Sequence, residues 1–295
     1  CSVPRAADPK GGLLPAPARF PALGLALFLA AVVLPLAFAL PRLTRHHGDE
    51  CYYTDAAIRM VQTGDYWTPR YPDGRERFVK PIVTYWATAA SYHLLGISYF
   101  SSRLPFLLAG LGILFLTWRL ASVLFGRGPE AGLAVLIAGS NFQLLTISTR
   151  STPDALLSLW TLLSLLGFAR IWFRGDTSWG ARLMAWIGVG LAVQTKGLLG
   201  LCPLGFMLLL RLAFRGCAPP AGARWWDPWS VAAGLVAALF WYVVVWGRHG
   251  GAVGEQFFSD QVTAKTSFQP WTVLTTFGVY LVAVLRHFLP WTLVL

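Results

Sequence analysis

Four polar positions stand out in a chain otherwise poor in charge. Asp49-Glu50 opens a polar stretch and Lys80-Pro81 lies near its end. Asp154 follows in Arg150-Ser-Thr-Pro-Asp154, and Lys196 stands alone between two apolar runs. A positioned carboxylate can take a proton from an attacking hydroxyl or orient an acceptor. A lysine suits a phosphate, and the free N–H groups of a helix starting at Pro81 would help to hold one. Simpler readings stand beside these. Asp49 and Asp154 occupy positions where an acid caps a helix. Lys80 could snorkel to lipid headgroups. A lone charge such as Lys196 is costly between membrane spans and tends to be functional there. His46-His47 cannot easily share one metal and reads as a solvated loop start. No metal or other cofactor is indicated. Arg248-His249 and Glu255 read as interfacial charges.

The elements that must position these groups are membrane helices. The 295 residues are 56% hydrophobic and 13% charged, against roughly a quarter charged in soluble domains. Several apolar runs approach the ~20 residues that cross a bilayer, and 14 Trp with 9 Tyr suit interfacial aromatic belts. The net charge of +11 does not imply nucleic acid. Arg119, Arg127, Arg170, Arg174, Arg211 and Arg215 sit singly at the ends of apolar runs, the positive-inside pattern. Cys1, Cys51, Cys202 and Cys217 have no metal spacing and suggest no disulfide framework.

The expected fold is an all-α, polytopic transmembrane bundle of about eight spans, near 20–40, 101–125, 130–148, 154–173, 183–196, 198–215, 229–247 and 271–295. Spans five and six share a tight turn at Lys196-Gly197. Residues 1–295 read as a single transmembrane domain. The first residue is not Met and the last apolar run reaches Leu295, so the chain is expected to be part of something longer. Positive charge favours a cytoplasmic N-terminus. The large loop at 41–100, the Arg150–Asp154 turn, the Lys196 turn and segment 248–270 then all lie outside. Convergent polar groups at such a junction are the default site.

Two amphipathic juxtamembrane helices are expected in the large loop. The first runs from about Glu50 to Gln62, with Tyr53, Ala56, Ala57, Met60 and Val61 on one face, Asp49 at its cap and Gly64 at its end. The second starts at Pro81, a favoured first helical position, and continues through Tyr85, Trp86 and Tyr92. Both are expected to lie along the membrane.

The spaced residues Asp49-Glu50-x-x-Tyr53, Met60, Gly64-Asp65-x-Trp67-x-Pro69, Phe78-x-Lys80-Pro81 and Tyr85-Trp86 carry a resemblance. They resemble the first extracytoplasmic loop of bacterial aminoarabinose transferase-like C-type glycosyltransferases, relatives of the protein O-mannosyltransferases. Arg103-Leu104-Pro105, Pro153-Asp154, Lys196-Gly197 and Pro290-Trp291 follow in the family's order. The resemblance implies inverting transfer of a sugar from a polyprenyl-phosphate donor, usually undecaprenyl phosphate, to a lipid, glycan or protein acceptor. It further implies a bacterial inner-membrane protein with its active site facing the periplasm. Asp49 takes the catalytic-acid position, Glu50 stands beside it, and Asp154 takes a second acidic position. Lys80, Lys196 and Lys265 are the expected donor-phosphate ligands, and Tyr53, Tyr85 and Trp86 the expected cavity wall. The larger members' C-terminal periplasmic domain has no counterpart in the residues given. The pattern departs at Tyr52, where Arg is common, and at Ile82, where a second Pro is common.

Two rivals remain from residues alone. A lipid-linked-sugar transporter or flippase would place charges in broken spans near the midplane, often in repeated halves. Here they sit at span ends without a repeat. A non-catalytic scaffold would have no need of Asp49, Lys80 and Lys196 together.

Overall fold

The structure is a computed structural model that describes residues 48–126, 128–213, 224–261, 270–288 and 291–293. The described residues are helical apart from loops and one isolated antiparallel bridge between Arg70 and Glu76. In chain order the helices are α1 (Gly48–Thr63), α2 (Val83–Leu95), α3 (Tyr99–Phe125), α4 (Pro129–Gly139), α5 (Phe142–Ser148), α6 (Pro153–Arg174) and α7 (Trp179–Lys196). A 3₁₀ turn, Gly197–Leu201, leads into α8 (Cys202–Ala213), followed by α9 (Pro228–His249), α10 (Gly251–Gln261) and α11 (Pro270–His287).

α3, α6, the stretch Trp179–Ala213 and α9 are each long and apolar enough to cross a membrane. α4 and α5, bent by 64°, make a fifth such element if counted together. Leu108, Phe115, Leu133, Leu209, Val236 and Val243 are exposed along these helices, as a surface meeting lipid requires. The protein is an integral membrane protein. The Trp179–Ala213 stretch does not run straight. A Cβ on Gly200 would strike the backbone of Ala192 and Val193. Met207 shares one buried cluster with Phe168, Ala185 and Val189. The chain therefore doubles back after Lys196, and the expected turn at Lys196-Gly197 lies there, with Gly197 at φ +66°. Of the eight expected spans, that over 20–40 lies outside the described residues. The one over 271–295 is represented by α11 and a short 3₁₀ turn.

Small residues set the bundle's seams. A Cβ on Gly167 would run into the backbone of Ala185, and one on Gly188 would lie 2.6 Å from the Ser164 nitrogen. Gly190 and Gly234 let α7 and α9 approach in the same way. Membrane helices gain association mainly from such close packing, because lipid tails remove the hydrophobic drive between them. The Gln194 side chain, fully buried, donates to the Ala238 carbonyl at 2.8 Å and pins α7 to α9.

The segment 48–98 packs over one end of this bundle. α1 buries Tyr53, Ala56, Ala57 and Met60, the face read from the 3.6-residue period. Gly64, at φ +75°, ends it with an N–H bond to the Met60 carbonyl. α1 begins at Gly48, so Asp49 stands inside the first turn and is not the cap. α2 begins at Val83, two residues beyond the expected Pro81, with Ile82 as its N-cap. It buries Thr84, Tyr85, Thr88, Ala89 and Tyr92. Those residues make it a packed element rather than a helix merely resting on a surface. α10, not expected from sequence, anchors the loop: the Phe78 N–H donates to Gln256 Oε1 at 3.0 Å.

Candidate active site

Glu50 is fixed most firmly. Its Oε1 accepts from Arg103 Nε at 3.1 Å and from the Ser151 N–H at 2.8 Å, and its Oε2 accepts from Arg103 Nη2 at 3.3 Å. Both side chains are almost fully buried. Ser151 Oγ in turn donates to the Ser102 carbonyl at 2.9 Å. α1, the start of α3 and the turn before α6 are thereby tied together. A carboxylate with both oxygens engaged in a buried ion pair is a poor proton acceptor. Glu50, expected among the catalytic acids, is thus engaged with Arg103 and Ser151 and buried.

Asp49 differs from its neighbour, being exposed on the first turn of α1. Asp154 occupies the second residue of α6, after Pro153, and forms an ion pair with Lys196 in the last turn of α7. An acid at a helix N-terminus and a cation at a helix C-terminus each complement the helix dipole. Both side chains of this pair remain partly open, at 41% for Asp154 and 28% for Lys196. Asp154 and Lys196 are thus available to a ligand as Glu50 is not.

Tyr53 links these groups. It is 4% exposed, and its hydroxyl feels Arg77, Asp154 and Asp49 electrostatically. Burial pushes its pKa up to about 12. Arg77 opposes that shift, and the two aspartates reinforce it. Tyr53 is therefore a neutral hydroxyl at any physiological pH. Its ring lies 5.3 Å from that of Tyr85. Tyr85 is fully buried and accepts a hydrogen bond from Arg77. Trp86 donates its indole N–H to the Tyr66 carbonyl at 2.6 Å and packs against Trp67 and Phe240. Of the three aromatic residues expected on the cavity wall, Tyr53 and Tyr85 are buried side by side, and Trp86 is partly buried.

Lys80 is half-buried between Phe78, anchored on α10, and the buried Pro81. Lys265 lies outside the described residues, as do His46 and His47. Among the described residues no group of three or more His, Cys, Asp or Glu side chains is placed to hold a metal.

Segment 65–77 is latched to the end of α9. Asp65 Oδ1 accepts from the N–H groups of Trp67 (3.1 Å) and Thr68 (3.3 Å). Burial alone would raise the Asp65 pKa, but these bonds and nearby Arg248 hold it below the usual carboxylate range. His249 lies 3.0 Å from Glu76 and 3.2 Å from Thr68 Oγ1, and Trp241 donates to the Trp67 carbonyl at 3.0 Å. Arg248-His249, read from sequence as interfacial charges, thus fasten the loop. Arg77 was missed altogether. Its only local signal is a basic residue three positions before Lys80.

The arrangement places a partly open carboxylate–lysine pair at one end of an apolar bundle. Comparison with known proteins gives it a context. An arabinosyl transferase 2 of Proteus mirabilis, named for undecaprenyl phosphate-alpha-4-amino-4-deoxy-L-arabinose, is 28% identical over 269 residues, 86% of this chain and 47% of its own length. The corresponding transferase of Aeromonas hydrophila is 30% identical over 235 residues, 75% of this chain and 42% of its own length. The apo crystal structure of ArnT from Cupriavidus metallidurans superposes with a TM-score of 0.74 at 25% identity, covering 92% of this chain and 49% of that one. The chain thus spans about half the length of the relatives it matches. The family described as dolichyl-phosphate-mannose-protein mannosyltransferase matches residues 79–246, more than half of the chain, and the protein belongs to that family.

Proposed function

We propose that this chain is a transmembrane C-type glycosyltransferase domain. It moves a sugar from a polyprenyl-phosphate carrier to a cell-envelope acceptor, with inversion. The supporting observation is the partly open ion pair that joins Asp154 at the start of α6 to Lys196 at the end of α7. The names of its relatives supply undecaprenyl phosphate as the carrier. The acceptor is a lipid A-type lipid, a glycan or a protein. The sugar-bearing end faces the periplasm of a bacterial inner membrane, and the loop 41–100 carries the site.

In this reaction an acceptor oxygen attacks the anomeric carbon from the face opposite the carrier. The new C–O bond forms as the bond to the phosphate oxygen breaks, and the phosphate leaves with the electron pair. A hydroxyl acceptor loses its proton to Asp49, the exposed carboxylate. A phosphate acceptor needs no base, and Asp49 then orients it. Lys80 and Lys196 hold the carrier phosphate, with Lys265 as a third ligand. Asp154 keeps Lys196 in place and lines the acceptor side. The neutral Tyr53 hydroxyl donates a hydrogen bond to the sugar or its phosphate.

The test is transfer by the full-length protein in lipid nanodiscs, with undecaprenyl-phosphate-linked aminoarabinose and lipid A as first substrates. Mass spectrometry would follow the products and NMR their anomeric configuration. A product of opposite configuration is expected. Movement of the intact lipid-linked sugar across the bilayer, with no transfer to lipid, glycan or protein acceptors, would replace this reading with a flippase.

A further inference from the structure

Arg77 is a buried cation that faces no acid among the described residues. The residue is 7% exposed. The guanidinium carbon lies 5.2 Å from the ring centroids of Tyr52 and Tyr53, 5.4 Å from Tyr71 and 5.9 Å from Tyr85. One Nη donates to the Tyr85 hydroxyl, and the Nε is buried without a hydrogen-bond partner. Among the described residues no carboxylate pairs with it. Arg103, equally buried, has Glu50 opposite it, and Arg170 and Arg182 have Asp176 and Asp227. The Arg77 backbone N–H is spent on the Pro69 carbonyl at 2.8 Å, which fixes where the side chain starts.

An unpaired buried charge is expensive, and four ring faces return only part of that cost. What remains is a positive potential in a medium that screens it weakly. That potential bears on the site. Tyr53, whose ring lies 5.2 Å from the Arg77 guanidinium carbon, also feels Asp154 and Asp49 electrostatically. Lys80 follows three residues later. We propose that Arg77 is a positioning residue whose uncompensated charge biases the site toward the carrier phosphate, most strongly in its departing form. This rests on the polyprenyl-phosphate reading above. The carrier begins as a phosphodiester with one negative charge and leaves as a phosphomonoester that approaches two. A fixed cation therefore stabilises the leaving group more than the bound donor, which raises turnover rather than affinity for the donor alone.

A purely structural role would make the ring contacts the whole function of Arg77. The test separates the two through charge and through the ionisation of the phosphate. Undecaprenyl phosphate binding to the full-length protein is measured for wild type, Arg77→Lys, Arg77→Met and Arg77→Gln, with thermal unfolding of each. Phosphorus NMR reads the second pKa of the bound phosphate. In wild type that pKa is expected below its value in protein-free lipid. Arg77→Gln keeps a donor for Tyr85 and Arg77→Met keeps bulk. Each is expected to bind undecaprenyl phosphate at least fivefold more weakly, to raise the phosphate pKa and to lower kcat more than KM changes. Arg77→Lys is expected to retain most of the binding. Folded Gln or Met variants that match wild type in affinity and phosphate pKa would overturn the proposal. So would a wild-type phosphate pKa no lower than that of free lipid, which needs no variant to fold. Failure of wild type to bind undecaprenyl phosphate at all would instead defeat the donor reading on which the proposal rests.

Discussion

Glu50 and Arg103, fifty-three positions apart, form a two-pronged ion pair that is sealed from water. Asp49, next to Glu50 in sequence, and Tyr99, one helical turn before Arg103, remain exposed. Adjacent acids thus differ in environment: Glu50 ties the loop to the bundle, and Asp49 stands exposed beside it.

Glu50→Gln is expected to destabilise the protein by about 3–5 kcal/mol, because Arg103 would be left buried without its counter-charge. Glu50→Leu combined with Arg103→Met should recover much of that loss, since an apolar pair of similar volume is often as stable as a buried ion pair. Thermal unfolding in detergent or nanodiscs checks both. Equal instability of the single and double variants would mean that an apolar pair cannot stand in for the ion pair and the Ser151 contact together.

Asp49→Asn should leave the unfolding temperature close to wild type, because the side chain is exposed in the first turn of α1. Turnover with a hydroxyl acceptor is expected to fall by about 10²-fold, the low end for a lost general base. Steady-state transfer assays on the folded variant decide the matter, and near-normal turnover would move the proton-accepting role to Asp154.

Asp154 and Lys196 should behave as a coupled pair. Lys196→Ala and Asp154→Ala are each expected to weaken carrier-phosphate binding or turnover, with the double variant less impaired than the sum of the two. Contacting residues typically show interaction energies of about 0.5–3 kcal/mol. Both side chains are partly exposed, so the effect on stability is expected at the small end, about 0–1 kcal/mol. Simple additivity in a double-mutant cycle would show that the two act separately.

Tyr53 and Asp65 predict opposite ends of the pH profile. The Tyr53 pKa is raised in the folded state, so its contribution to stability is present below pH 10 and is lost as pH climbs toward about 12. Tyr53→Phe should remove that alkaline loss. The Asp65 pKa is lowered, so its contribution is present above the ordinary carboxylate value and is lost as pH falls through the lowered one. Asp65→Ala should flatten the acid limb and cost about 1 kcal/mol at neutral pH, in line with loss of a side-chain cap. Unfolding curves between pH 3 and 11 would show either slope, and unchanged limbs in the variants would refute these assignments.

Local patterns in the sequence carry the elements well. The Tyr53–Ala56–Ala57–Met60 stripe, the stop at Gly64, the break at Lys196-Gly197 and the apolar helices all follow from periodicity, glycine and run length. Errors arise where a neighbour outside the local window decides. Asp49 looks like a cap because an acid precedes an apolar stripe, yet the helix already begins at Gly48. Glu50 looks available until Arg103 and Ser151 are brought beside it. The bond from the Trp86 indole to the Tyr66 carbonyl and its packing on Trp67 cross about twenty positions and leave no local pattern. Arg77 has no periodic signal, since its cage is assembled from Tyr52 and Tyr53 on α1, Tyr71 in the loop and Tyr85 on α2.

The glycine seams also govern which changes the chain can absorb. Lipid-facing Leu108, Val236 and Val243 can drift among apolar types with little consequence, because the solvent they meet is itself apolar. Gly167, Gly188, Gly190 and Gly234 cannot, since even an alanine methyl would meet backbone across the seam. Random substitution would therefore leave a lopsided record. Such a record would show a variable outer skin and a nearly silent line of glycines along α6, α7 and α9. That line holds the ends of α6 and α7, and with them Asp154 and Lys196, at a constant spacing while the surface around them turns over.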